Sequence, residues 1–256
     1  LERNGLRTVS TGSAGFLVSL WDKMLRLKGS AAYNYRFPSM NDLYWRPGGN
    51  PDVLPEDGFS YDAALSFHRP LTDWLTLDAE VAGYLMYIDN WILWLPQDGN
   101  QWIWTPQNKR DVRSTGVEVS TRLEFRAGDL RAVLSGNYSW SEACTRTKQH
   151  VDDGSLMKQI PYVPRRKWNA RLALDWRFLS WQTTHVGRRY VTTDESYSTD
   201  PYTVHNLLAG YRWTFAGGKA LTPQLRVDNV TDAYYESTQY YPMPLRNYLV
   251  SLLFEF

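Results

Sequence analysis

The chain has 256 residues, of which 43% are hydrophobic and 15% aromatic, yet its mean hydropathy is -0.48. It carries 28 Lys and Arg against 27 Asp and Glu, so bulk charge gives no reason to expect a nucleic-acid partner. It has no run of about 20 apolar residues, which excludes spanning helices, whereas a transmembrane β-barrel has this profile because every second residue is polar.

Apolar and polar residues alternate along segment after segment, which indicates strands with two different faces. In the segment 75–87, one face carries Leu75, Leu77, Ala79, Val81, Leu85 and Tyr87, and the other carries Thr76, Asp78 and Glu80. This pattern predicts eleven strands, at residues 12–21, 24–36, 58–69, 73–88, 113–126, 129–140, 165–178, 181–191, 202–214, 221–230 and 246–256.

The predicted connections fall into two classes that alternate along the chain. Short turns are expected near residues 22–23, 70–72, 128–129, 179–180 and 217–218. Long polar or aromatic connections are expected at residues 37–57, 95–111, 141–164, 192–201 and 231–245. In an antiparallel series, this alternation places all turns at one rim and all long loops at the other, as in barrels with short periplasmic turns and longer extracellular loops.

The last strand has a strictly alternating apolar face that ends on an aromatic residue. Its apolar side chains are Tyr248, Val250, Leu252, Phe254 and Phe256. This pattern is typical of the closing strand of an outer-membrane barrel. Eleven strands cannot close an all-antiparallel barrel, so either residues 1–11 hold a further strand or the chain is the C-terminal half of a larger barrel. The second interpretation is preferred.

Two groups of motifs carry a family resemblance. The first group consists of YRFPSMNDLY at 35–44 and GNPDVLPE at 49–56. The second consists of VDNVTDAYY at 227–235 and YPMPLRNY at 241–248, followed by the terminal Phe256. Together they resemble the mid-barrel boxes and the closing signature of TonB-dependent outer-membrane receptors. The reduced first box and Leu245, where a Gly is commoner, depart from the family pattern and leave the fold prediction intact.

The resemblance implies an architecture and an activity. The family barrel has 22 strands, so residues 1–256 would be its C-terminal half, without the N-terminal plug domain and first barrel half. The implied protein is a receptor of the bacterial outer membrane, surrounded by lipid, that imports a scarce nutrient with energy supplied by the TonB complex. That complex would act through the N-terminal region. The resemblance implies no catalytic residue and no cofactor.

The ligand implied by the resemblance is cobalamin or a ferric siderophore. Haem receptors of this family tend to carry a His between the two boxes, and residues 39–49 contain none. The stretch QIPYVPR at 159–165 looks like that of cobalamin and siderophore receptors. The sequence does not separate these two ligands.

Five aromatic residues are candidates for ligand contact in the extracellular loops. Trp94, Trp102 and Trp104 could stack on a ligand, or they could belong to the aromatic girdle at the membrane interface. Tyr240 and Tyr241 lie in the last long connection, where they could contact a ligand or pack the loop.

Two other classes of function remain as alternatives. One is an outer-membrane barrel enzyme, although no motif singles out a nucleophile with its base. The other is a soluble β-sandwich ligand-binding module, in which the apolar faces would pack inward. The four histidines lack the spacing of metal ligands, so no metal site is expected.

Overall fold

The fold consists of antiparallel strands that follow one another along the chain. The computed structural model describes residues 9–97, 100–147, 154–175 and 178–256. In chain order, the elements are β1 (Gly12–Leu20), β2 (Leu25–Arg36), α1 (Met40–Tyr44), β3 (Glu56–Thr72), β4 (Leu75–Gln97), β5 (Asn100–Ala127), β6 (Leu130–Thr145), β7 (Arg166–Leu174), β8 (Leu179–Val186), β9 (Arg189–Tyr190), β10 (Ser198–Thr199), β11 (Tyr202–Gly210), β12 (Trp213–Thr214), a 3-10 turn (Ala216–Gly218), β13 (Ala220–Asp228), β14 (Glu236–Thr238), β15 (Tyr241–Pro242) and β16 (Asn247–Glu255). In this described part, no helix is long and apolar enough to cross a membrane.

One sheet contains all the long strands. Within the described residues it has twelve strands, in the order β1 to β8, then β11, β13 and β16, with the short β12 also pairing with β13. The eleven long strands correspond one to one to the eleven predicted strands, and this confirms the predicted antiparallel all-β class. Two further sheets are two-stranded, β9 with β10 and β14 with β15.

The predicted strand 202–214 is divided in two. β11 pairs with β13 from Leu207↔Val227 to Gly210↔Gln224, and pairing resumes in β12 at Trp213↔Leu221. Pro223 lies in the gap on β13 and has no backbone N–H to donate. The interruption therefore has a local cause in the partner strand.

The sheet has one apolar face and one polar face. By register, Leu27, Leu65, Val81 and Val119 stand side by side across β2 to β5. Leu65 is 44% exposed and Val81 is 50% exposed, so the apolar face of the sheet is open. A soluble sandwich would cover such a face with a second sheet, whereas in a transmembrane barrel this face meets lipid.

The opposite face holds polar side chains that pair across strands. Lys28 Nζ lies 2.9 Å from Glu80 Oε1, and the Ser66 hydroxyl donates to the other carboxylate oxygen at 2.5 Å. Neighbouring positions on the same face are Ala82 and Glu118, which are paired by register. Polar residues therefore alternate with the apolar row, as predicted from the sequence.

The two rims differ as predicted, with corrections to the boundaries. The predicted long connection 95–111 is wrong, because β4 and β5 continue almost to the tip as a paired hairpin. The predicted turns at 70–72 and 179–180 also lie within strands, β3 and β8. Residues 73–74 form the turn after β3, and residues 176–177, before β8, lie outside the described residues. The first residues of the predicted connection 141–164 extend β6. Residues 148–153 of this connection lie outside the described residues.

The two edges of the sheet stay open within the described residues. β1 pairs with β2 alone, and β16 pairs with β13 alone. Each step from β1 to β16 is antiparallel, and there are ten such steps, so the two edge strands run in the same direction. They cannot pair antiparallel with each other, and the barrel is not closed.

Candidate functional site

The long connections meet the ends of the strands at one rim, which we call the loop rim. It comprises residues 37–55, 146–147, 154–165, 187–201 and 229–246, together with the tip of the β4–β5 hairpin. All five aromatic residues predicted as ligand contacts lie at this rim. The structure divides them between two parts of it.

The first part is the connection 37–55, which packs on the β4–β5 hairpin through α1. Ser39 caps α1 by accepting a hydrogen bond from the Asp42 N–H, and the Asp42 carboxylate accepts from the Ser39 N–H in return. Trp94 Nε1 donates to Asp42 Oδ1 at 2.9 Å. Burial opposes ionisation of Asp42, but the hydrogen bonds from Ser39 and Trp94 outweigh it and lower its pKa.

Two further contacts hold this connection in place. Asn108 on the hairpin accepts from the Leu54 N–H at 2.8 Å and donates to the Leu54 carbonyl at 3.0 Å. A Cβ at Gly48 would overlap the backbone oxygen of Trp104, so the two segments touch at this point. Because Trp94 donates to Asp42 of this connection, its side chain has a structural contact. Trp102 is 93% exposed near the hairpin tip.

The second part is the cluster formed by the last three connections. Glu195 joins two of them, because its Oε1 accepts from the Gln159 N–H at 2.9 Å and from Arg165 at 3.1 Å. The Tyr162 N–H donates to the Tyr190 carbonyl at 2.8 Å. Charged side chains and backbone together thus fix the relative positions of these loops.

Within this cluster, Arg189 joins the connection 187–201 to the β14–β15 hairpin. Its side chain is buried, and its guanidinium donates to the Glu236 carbonyl at 2.6 Å and to the Ser237 carbonyl. The same guanidinium lies over the Tyr202 ring, 5.3 Å from its centroid. A planar guanidinium suits this task because it donates in two directions while its face stacks on an aromatic ring.

A cavity of about 300 Å³ opens between β10–β11 and the β14–β15 hairpin. Glu236 is fixed at its edge, where it accepts from the Tyr234 hydroxyl at 2.8 Å and from the Tyr240 N–H at 3.0 Å. The hydrogen bond to Glu236 raises the pKa of Tyr234, and burial raises the pKa of Tyr235, so both phenols stay protonated at neutral pH. The lining includes Asp200, Tyr202, Tyr234, Tyr235, Glu236, Gln239 and Tyr240.

The structure thus brings only one predicted contact residue into the cavity, Tyr240. Tyr241 is 69% exposed in β15 and is not part of the lining. Sequence reasoning missed Asp200 and Tyr202. The pair Tyr234-Tyr235 in the closing motif was a sequence signal for this site. The contact of Tyr235 with Tyr202, however, depends on how β11 and β13 are placed. The five contact assignments remain predictions.

The described residues contain no group of three or more His, Cys, Asp or Glu side chains arranged to hold a metal ion. The polar groups of the cavity are hydroxyls, carboxylates and an amide on loops, without a nucleophile paired to a base. This arrangement can bind a ligand through hydrogen bonds and ring contacts.

Comparisons with known proteins agree with this geometry. Residues 3–230 match the family described as "TonB dependent receptor-like, beta-barrel". Two relatives named "Vitamin B12 transporter BtuB" are similar to the chain. The one from Photobacterium profundum is 27% identical over 91% of the chain and 36% of its own length. The one from Vibrio vulnificus is 25% identical over 89% of the chain and 34% of its own length.

Solved structures share the fold. The copper transporter OprC superposes with a TM-score of 0.69 at 18% identity, over 94% of the chain and 38% of that protein. The siderophore receptor PirA from Acinetobacter baumannii gives 0.67 at 17% identity, over 94% and 40%. The chain spans little more than a third of the relatives it matches, which are transporters and receptors rather than enzymes. Both the fold and the family match confirm the resemblance read from the motifs: the chain belongs to the TonB-dependent receptor β-barrel family.

Proposed function

We propose that the chain is the C-terminal half of the barrel of an outer-membrane receptor that imports cobalamin or a ferric siderophore. The observation that carries the proposal is an open antiparallel sheet with an exposed apolar face, in a chain similar to vitamin B12 transporters over 91% of its length. An apolar outer face and a polar inner face are what a barrel in lipid requires.

The parallel directions of β1 and β16 support the half-barrel. An odd number of further strands is needed to close an all-antiparallel barrel between these edges, and eleven would give the 22 strands expected from the family resemblance. Unpaired strand edges are not tolerated in lipid, because each free backbone group there costs several kcal/mol. The remaining strands and the plug domain would come from the preceding part of the protein.

The proposed transport cycle follows from the family resemblance. The ligand binds at the loop rim, above the plug, and the TonB complex then supplies the energy that displaces the plug. Between the two ligands, the sequence relatives favour cobalamin, since they are vitamin B12 transporters. Ferric siderophores stay in the proposal because receptors for them share the fold.

Uptake by whole cells tests this function. The full-length receptor would be expressed in a bacterium that lacks its own cobalamin and siderophore receptors, and uptake of labelled cyanocobalamin and of ferric siderophores would be followed. Import of one ligand that stops when TonB is deleted is the expected result. No TonB-dependent import of any of these ligands would contradict the proposal.

A further inference from the structure

The cavity between β10–β11 and the β14–β15 hairpin, which we call the tyrosine cavity, is lined by acidic and hydroxyl-bearing side chains. Both of its charged side chains, Asp200 and Glu236, are carboxylates. The guanidinium of Arg189 lies over the Tyr202 ring, and its two terminal nitrogens donate to the Glu236 and Ser237 carbonyls. The Tyr234 hydroxyl is already committed to Glu236. A ligand group that enters therefore meets two carboxylates, beside the Gln239 amide and the Ser198 hydroxyl.

Tyrosine rings form part of the cavity wall, and they are held in place. The rings of Tyr202 and Tyr235 pack with centroids 4.5 Å apart, and the guanidinium of Arg189 lies over the Tyr202 ring. The hydrogen bond from the Tyr240 N–H to Glu236 fixes the hairpin that carries the remaining wall. Preorganised rings and a few placed polar groups are the features of small-molecule sites.

We propose that this cavity binds the uncharged, amide-bearing edge of cobalamin and disfavours polyanionic ferric catecholates. This inference rests on the proposed function and names which of its two ligand classes the site takes. Carboxamide N–H groups can donate to Asp200 and Glu236 while the adjoining hydrocarbon packs on the tyrosine rings. A ferric tris-catecholate carries three negative charges, which the same carboxylates repel.

The volume of the cavity limits what it contacts. At about 300 Å³ it is at the lower end of ligand pockets, so it holds one edge of a molecule as large as cobalamin. The remainder of the ligand would lie across the loop rim. One edge held by charge-assisted hydrogen bonds suffices to discriminate, because truncating such a bond changes affinity several-fold to tenfold.

The test is equilibrium binding to the full-length receptor in detergent, with cyanocobalamin as the probe. Asp200→Asn keeps the shape of the side chain and removes one charge from the cavity. Asp129→Asn is the control, because it removes the same charge from an exposed turn at the opposite rim. We expect Asp200→Asn to weaken cyanocobalamin binding about fivefold to tenfold and Asp129→Asn to leave it unchanged. Heat-modifiable migration of each variant on a gel verifies that its barrel is assembled.

A second probe, a ferric tris-catecholate, tests the charge preference. The wild-type receptor is expected to bind it at least about a hundredfold more weakly than cyanocobalamin. Equal cyanocobalamin affinity of wild type and Asp200→Asn, or tighter binding of the catecholate, would overturn the inference and leave the receptor function standing. If wild type bound neither cyanocobalamin nor any ferric siderophore, the proposed function would fail together with the inference.

Discussion

A charge introduced on the apolar face of β4 should block assembly, and the same charge on the next residue should not. Val81 lies on the apolar face between Leu65 and Val119, half exposed. Ala82 is its neighbour on the opposite face and lines a cavity of about 330 Å³ together with Glu80 and Glu118. Val81→Arg and Ala82→Arg therefore form a matched pair at one depth.

The expected magnitude follows from the position of Val81 along the strand. It lies six residues beyond Leu75, the first residue of β4. At about 3.3 Å per residue and a strand tilt of about 40°, this is about 15 Å from the short-turn end, near the middle of an apolar band about 25 Å tall. An Arg at mid-depth costs about 2–4 kcal/mol, which is about 30- to 700-fold in the folding equilibrium.

At Ala82, the same Arg meets a different environment. It would extend into the cavity beside two carboxylates, so its charge is compensated and remains hydrated. The assay is the yield of folded, heat-modifiable receptor in the outer membrane for the two full-length variants. Val81→Arg should fall well below wild type and Ala82→Arg should stay close to it. Equal tolerance of both changes would refute the assignment of the apolar face to lipid.

Three further predictions concern the loop rim. Replacing Tyr240 and Tyr241 by Ala should weaken ligand binding and leave barrel assembly normal, since loop tips contribute little to the strand ladder; unchanged affinity would mean that these tyrosines only pack the loop. Arg189→Lys keeps the charge but cannot donate to both carbonyls, so hydrogen exchange of the β14–β15 hairpin should accelerate about fivefold to tenfold, and unaltered protection would exclude its linking role. The pKa of Asp42 is lower in the folded state than in the unfolded state. Its contribution to the stability of α1 is therefore present above about pH 4, the pKa of an unfolded Asp, and is lost as the pH falls through the pKa of the folded state. Exchange of α1 amides, corrected for intrinsic rates, should therefore speed up on acidification in wild type and show no such step in Asp42→Asn.

The strands could be predicted from the sequence because a sheet with one apolar face and one polar face leaves a period-two signature in every strand. That signal fails towards the tip of the β4–β5 hairpin. In β4, Asn90 has a φ of 57°, a left-handed conformation that Asn tolerates, and Pro96 and Pro106 follow within the hairpin. These residues read as a loop, although pairing across the hairpin continues as far as Gln97↔Asn100.

The cavity could not be predicted from the sequence, for a different reason. Tyr202 and Tyr235 are far apart in the chain, and their contact depends on the register of β11 with β13 and on the hairpin that Arg189 anchors. Nothing in the alternation of residues encodes that placement. Likewise, Trp94 could be predicted as an aromatic residue at the rim, but its partner Asp42 lies 52 residues away, in the connection between β2 and β3.

The proposal that the chain is an open half of a lipid-spanning barrel is tested most directly by the behaviour of the chain in isolation. Residues 1–256 would be refolded in detergent and run on a gel with and without heating, beside the full-length receptor. The two open edges predict that the full-length receptor migrates as a compact, heat-modifiable monomer and that residues 1–256 alone aggregate or stay unfolded. A compact, heat-modifiable monomer of residues 1–256 alone would mean that these strands close on themselves, and it would contradict the half-barrel.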